Sequence, residues 1–394
     1  MIHLKTGIIK EGAANWAAVL SLSLSVIGLI TAELLPISLL TPVASSLNVS
    51  ESAAGQAVSA TAMVAMVASL FIAGVTRNMD RRRVMLALSL LFVASNVIAG
   101  MADSYAVLIV GRVVLGISLG GFWSMCAAVT MRLVPESNVP QALGIIFGGA
   151  SLAMALVAPL GTWLGGIFGW RDIFFATAAA GCIALFWQFR VLPAMTPASQ
   201  STLSTLFRLL ARTDVSMGML AMMLVFGGHF VFFTYLRSFL EGGAGLDVNS
   251  ISLVLLGFGV ANVIGNALSG KLINRSLMMA LALPPLVMAL LAGALYFVMR
   301  QGLAVSALVA LWGFALGAVP VAWTTWLTRA MPDETESGGG LQVAAIQLAI
   351  TAGAAGGGAL YSVEGSTGLL HGSGITLVLA AVLVFSRMRS KAQA

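Results

Sequence analysis

The sequence predicts an all-α membrane protein, with twelve transmembrane helices arranged as two pseudo-symmetric bundles of six. Three observations carry this. The 394 residues are 59% hydrophobic and 9% charged, whereas a soluble domain is about a quarter charged. The apolar residues gather into twelve windows close to the ~20 residues that cross a bilayer as α-helix. Residue patterns also recur at a nearly constant offset: Arg132, Pro135 and Glu136 are echoed 197 positions later by Arg329, Pro332 and Asp333, and Leu47, Asn48 and Val49 are echoed 199 positions later by Leu246, Asp247 and Val248. A transmembrane β-barrel would show segments of about ten residues alternating in polarity, and the sequence has no such series.

The first window, residues 16–40, is apolar, small or hydroxylic throughout except for Glu33. A carboxylate at that depth needs a polar cavity or a partner, and such residues mark ion pathways. Lys5 and Lys10 before it mimic a signal peptide, but the window is too long and lacks a small-residue cleavage site, so it is expected to be a retained span. The next five spans are expected at 53–75, 84–102, 106–130, 140–166 and 173–192. The polar stretch Pro193 to Asp214 follows, then spans at 215–240, 250–272, 278–299, 303–328, 339–362 and 372–386. The expected organisation is an N-terminal bundle (1–192), a cytoplasmic linker (193–214) and a C-terminal bundle (215–394).

Twelve spans put both termini on one side. If that side is cytoplasmic, 16 of the 20 basic residues face it, and only Arg112, Arg171, Arg237 and Arg300 do not. The net charge of +6 is spread over short loops with no long basic run, so a nucleic-acid partner is not expected. Cys126 and Cys182 lie within apolar runs at no metal or disulfide spacing and are expected to pack. The sequence has no phosphate-binding loop and no H-E-x-x-H motif, so no cofactor and no metal are expected, and any uphill process would have to draw on an ion gradient. Gly116 to Gly120 spells G-x-S-x-G but lies inside a span with no strand before it. Gly116 and Gly120 are read as a close-packing helix face, and the chain is not read as an enzyme.

Several motifs resemble the major facilitator superfamily over essentially the whole chain. The loop after the second span carries Gly74, Arg77, Asp80, Arg81, Arg82 and Arg83, with Arg77 standing where the family usually has an acid. Its second-half echo, Gly265, Gly270, Lys271 and Arg275, is weaker. Arg112 and Gly116 match the family's Arg-x-x-x-Gly pattern. Ala158, Pro159, Leu160, Gly161, Leu164 and Gly165 resemble a relaxed antiporter signature. Glu33 to Pro36, Gly120 to Met125, Phe232 to Arg237 and Pro320 to Arg329 are similar to the arabinose-type efflux branch of the drug/proton antiporters, and within it to exporters of purine ribonucleosides. The resemblance implies two halves rocking about a midplane site and a bacterial inner-membrane location. It also implies proton-coupled efflux of a purine ribonucleoside or analogue, with a sugar or drug as the alternative substrate, by a protein acting as a monomer with protons as the coupling ion.

Candidate residues follow from depth and polarity. Glu33 and Arg112 each lie about six or seven residues from the outer end of their span, roughly 10 Å deep. They are read as the proton-coupling residues and as a possible pair, against a permanent structural pair or two residues snorkelling separately. His229, among phenylalanines, is read as a substrate contact, a proton carrier or plain packing. Tyr235 and Arg237 lie near the outer end of the same span. Gln56, Asn262, Asn266, Gln342 and Gln347, with Thr61, Thr324 and Thr325, either bond across helices or line water and ligand. Asn262 and Asn266 share one helix face. Trp123 and Trp323, with Trp312 and Trp326, offer surfaces for a base or sugar to stack on, and Trp16 and Trp170 are assigned to interfacial belts.

Overall fold

The computed structural model describes residues 14–196 and 203–387, so Lys5, Lys10, Arg389 and Lys391 lie outside the described residues. Helices α1 to α7 are Trp16–Ser38, Leu40–Ser46, Glu51–Val75, Arg81–Gly100, Tyr105–Leu133, Val139–Phe168 and Trp170–Val191. Helices α8 to α15 are Leu203–Ala211, Thr213–Phe233, Leu236–Ser238, Val248–Arg275, Leu277–Val298, Gly302–Ala330, Thr335–Glu364 and Ser366–Arg387. Twelve of the helices are long and apolar enough to cross a membrane, and no strand occurs among the described residues. The helix starts follow from local chemistry. Ser50, Asp80, Ser104, Asp247 and Ser276 each cap an otherwise unpaired backbone amide at the start of α3, α4, α5, α11 and α12. Asn15 caps α1, and its amide group also donates to Val191 O at the end of α7.

The order of elements repeats. Helices starting at 16, 51, 81, 105, 139 and 170 are matched by helices starting at 213, 248, 277, 302, 335 and 366, offsets of 197, 197, 196, 197, 196 and 196. Gly169 and Gly365, 196 positions apart, both take positive φ (89° and 61°), which lets α6 turn directly into α7 and α14 into α15. The close-packing glycines repeat as well. A Cβ on Gly120 would overlap the Ala65 carbonyl, and one on Gly116 would lie 2.8 Å from Thr61 O. Gly313 and Gly317, each 197 positions later, press in the same way on Phe258 and Asn262 of α11. No side chain fits at these four positions, which is why α5 lies flush on α3 and α13 on α11.

The expected spans are recovered with two differences, and the polar stretch after the sixth span holds a third. The first ends at Ser38, and the chain continues as the separate helix α2. The seventh is broken: α9 stops at Phe233, and Tyr235, outside helical geometry at the break, donates its hydroxyl to Ala354 O (3.1 Å) and stacks on Tyr361. Within Pro193 to Asp214, residues 203–211 form the helix α8, whose Leu209 is buried while Phe207 is 76% exposed. The helix touches α3, α9 and α14, and Arg208 reaches Glu334 at 2.9 Å.

Helices α1, α3, α4, α5, α6 and α7 pack mainly on one another, as do α9, α11, α12, α13, α14 and α15. The two groups meet through α3, α5 and α6 on one side and α11, α13 and α14 on the other. The end of the bundle where residues 14 and 387 lie is called the terminal face below.

Candidate functional site

The two groups of helices are joined near the terminal face. Arg81, at the first position of α4, is wholly buried and donates from Nε and Nη2 to both carboxylate oxygens of Glu336, at the second position of α14. The loop before α4 holds Arg81 in place: Nη1 donates to Thr76 O (2.6 Å) and Met79 O (3.0 Å), and its amide donates to Met195 O. Asp80 accepts from the Arg82 and Met195 amides. Arg77, which stands where an acid was expected, is exposed and takes no part.

Ser337 and then three consecutive glycines, Gly338 to Gly340, follow Glu336. A Cβ on Gly339 would overlap Ser124 O of α5, and one on Gly340 would overlap Ser69 O of α3. Ser69 Oγ donates to Gly340 O at 3.2 Å. On the other flank α6 lies on α11, from Gln141 beside Gly270, past Gly148 beside Asn266, to Ala155 beside Gly259 near the helix middles. Two buried polar atoms at these contacts, Ser124 Oγ and Asn266 Oδ1, have no hydrogen-bond partner among the described residues. The closure is therefore tight but leaves polar groups that would gain partners if it opened. Sequence reasoning read Arg81 only as a basic loop residue and passed over Glu336. The signal was an acid beside Gly338–Gly340 at the start of a span.

Glu33 and Arg112 are brought together, but differently from an ion pair. Pro36 has no amide hydrogen, so Ala32 O loses the partner it would have in an unbroken helix. Arg112, 1% exposed, supplies one: Nη1 donates to Ala32 O (2.7 Å), Nη2 to Glu33 O (3.1 Å) and Nε to Ala57 O (3.4 Å). Thr61 Oγ1 donates to Arg112 O and Ala57 O, tying α3 into the same junction. The guanidinium thus bonds backbone, and no ion pair joins it to the Glu33 carboxylate among the described residues. Glu33 is half-buried, and it is the only acid more than four residues inside a helix among the described residues.

His229 lies in a second cluster, in the other half. It is 2% exposed and stacks on Phe233 at 4.8 Å, and its Nδ1 accepts from Trp312 Nε1 at 3.1 Å. An accepting Nδ1 means that the proton of the neutral ring is on Nε2. This places His229 in aromatic core, bonded to a tryptophan that is itself buried and presents no stacking face.

The other candidates divide. Trp323 is buried edge-on against Trp326 at 5.6 Å and offers no free face. Gln342 is buried and donates to Thr324 Oγ1 (3.2 Å), and Asn262 donates to Gly313 O (3.2 Å), so both bond across helices. Tyr235 bonds α14, as above. Trp123 is half-buried and stacked on Phe147 at 5.0 Å, Gln347 is half-buried, and Gln56 and Arg237 are exposed. Trp170, expected in an interfacial belt, is 5% exposed, its ring covered by protein and by Arg171 (4.3 Å), which is anchored on Ser46 Oγ and Ala102 O. Cys126 is buried, whereas Cys182 is exposed on the outer surface of α7.

Comparison with known proteins accords with this architecture. The family described as Major Facilitator Superfamily matches residues 20–354. The chain is 43% identical over 377 residues to the purine ribonucleoside efflux pump NepI of Escherichia coli strain K12 and to that of Shigella sonnei strain Ss046, covering 96% of this chain and 95% of each. It is 44% identical over 382 residues to the pump of the same name from E. coli O6:H1, with the same coverage. Among solved structures it is similar to the proton:xylose symporter XylE (TM-score 0.77, 16% identity, 96% of each chain). It is also similar to the human organic anion transporter MFSD10 (TM-score 0.76, 16% identity, 94% of this chain and 98% of that one).

Proposed function

The chain belongs to the major facilitator superfamily, and from that membership we propose that it exports purine ribonucleosides or their analogues in exchange for protons. The single observation that carries the substrate class is the identity of 43–44% over 96% of the chain with proteins named as purine ribonucleoside efflux pumps. In this reading the halves 1–192 and 215–394 rock about the contacts of α3, α5 and α6 with α11, α13 and α14. The Arg81–Glu336 pair locks the terminal face, which is the cytoplasmic one by the distribution of basic residues. The arrangement described is then the outward-facing one, in a bacterial inner membrane.

Glu33 is the proton carrier. Its support is physical: each guanidinium nitrogen of Arg112 already donates to a carbonyl, so the arginine's charge is fixed by the Pro36 break, while the half-buried carboxyl beside it is left able to gain and lose a proton. Nucleoside enters while Glu33 is ionised, and protonation from outside accompanies its release. The test of substrate class is uptake of labelled inosine, guanosine, arabinose and chloramphenicol into inverted vesicles with an imposed pH gradient. Uptake of the two nucleosides over the other compounds is expected. Selective uptake of arabinose or chloramphenicol would replace nucleosides by a sugar or a drug.

A further inference from the structure

On the outer surface of the first half, α4 and α7 leave an apolar groove lined by Leu86, Leu90, Cys182, Leu185, Phe186 and Phe189, together with Ala87. Leu90 is 57% exposed, Phe186 60% and Phe189 55%, so the groove opens outward to where lipid lies. Its terminal end is basic. The Arg82 guanidinium lies 5.3 Å from the centre of the Phe189 ring, and that of Arg190 lies 4.8 Å from the centre of Phe186. Arg83, exposed, is the next residue of α4.

Arg82 Nη2 donates to Phe189 O (2.6 Å), but its Nε is buried with no partner among the described residues. The nearby acid, Asp80, is taken up by two backbone amides, and neither Arg83 nor Arg190 forms an ion pair among the described residues. From Arg82 to Leu90, and from Arg190 back to Cys182, is eight residues, about 12 Å of helix. That is close to the ~15 Å depth of hydrocarbon in one leaflet.

We propose that this groove is a binding site for one anionic phospholipid of the terminal-face leaflet, its acyl chain between α4 and α7 and its phosphate between Arg82, Arg83 and Arg190. Charge complementarity selects this occupant. A second apolar groove, between α12 and α15 and lined by Tyr296, Phe297, His371 and Ile375 among others, lies at the opposite end of the bundle and has no arginine over its rings among the described residues; His371 there lies 3.8 Å from Glu364. A zwitterionic lipid can fill the apolar cleft, but only an anionic one leaves a net negative charge to pair with the three arginines at its end. The site also borders the lock, because Arg82 follows Arg81.

The test is native mass spectrometry of the full chain released from nanodiscs of phosphatidylglycerol and phosphatidylcholine in equal amounts. Retention of phosphatidylglycerol in preference to phosphatidylcholine is expected. Arg83→Gln with Arg190→Gln should lower the phosphatidylglycerol bound by about fivefold per arginine. These two residues are used because Arg82 also caps α7. Leu90→Trp, which fills the groove without altering charge, should lower retention too, and Glu364→Gln, a charge change at the opposite end of the bundle, should leave it unchanged. Equal retention of the two lipids, or undiminished phosphatidylglycerol in the Arg83→Gln, Arg190→Gln variant, overturns the proposal.

Discussion

Replacing Glu336 by Gln tests the terminal lock with little change in shape. The side chains of Arg81 and Glu336 are 0% and 5% exposed and share a two-pronged contact, so the substitution leaves a guanidinium buried without its anion. Removing one partner of a buried pair costs about 3–5 kcal/mol. Arg81 keeps its bonds to Thr76 O and Met79 O, which puts the cost at the lower end, about 3 kcal/mol. The penalty falls on the closed arrangement alone, because opening the terminal face hydrates Arg81. The ratio of closed to open molecules should therefore fall roughly a hundredfold. Spin labels at Asn78→Cys and Asp333→Cys, exposed positions in opposite halves, in a Cys182→Ser background, report this as a longer-distance population by pulsed electron resonance. Arg81→Gln combined with Glu336→Gln should restore much of the short-distance population. An unchanged distance distribution in the single variant would refute the lock.

Three further outcomes follow from the packing. Gly120→Leu and Gly317→Leu, each driven into a backbone carbonyl of the neighbouring helix, should destabilise by about 1–3 kcal/mol or more, read as a lowered unfolding midpoint in detergent. Gly166→Leu, which meets nothing within 4 Å, should not. Arg112→Gln should destabilise through the carbonyl it leaves bare, by about 1–3 kcal/mol. Pro36→Ala, which restores the missing amide, should recover part of that loss, so the two changes are non-additive in a double-mutant cycle. His229→Phe should lower stability by about 1–3 kcal/mol because Trp312 Nε1 loses its acceptor, while the pH profile of transport keeps its shape. A displaced pH profile would assign His229 to proton movement instead.

The spans and the repeat were legible because each depends on residues close together in sequence. A stretch of ~20 apolar residues specifies a crossing whatever surrounds it, and a duplicated unit leaves its loops as a record. Gly116 and Gly120 were legible for the same reason, being four residues apart on one helix. The lock was not, since Arg81 and Glu336 are 255 residues apart and each alone is an ordinary charge at a helix end. Arg112 was legible as a deep cation but not in its use. Depth and sign point to a carboxylate partner, whereas the stronger local demand is the carbonyl freed by Pro36, visible only once α1 and α5 are side by side. The amides and tryptophans suffered similarly: composition marks them as polar or flat, but neighbouring helices take up Gln342, Asn262, Trp312 and Trp323.

The most direct test of proton exchange at Glu33 is the internal pH of proteoliposomes holding the purified chain and a pH-sensitive dye, followed as inosine is added outside with no imposed gradient. Inosine should move the internal pH for the unaltered chain and leave it still for Glu33→Gln, while Glu33→Gln continues to exchange labelled inosine across the membrane. Inosine-driven pH change that persists in Glu33→Gln would contradict the assignment of the proton to this residue.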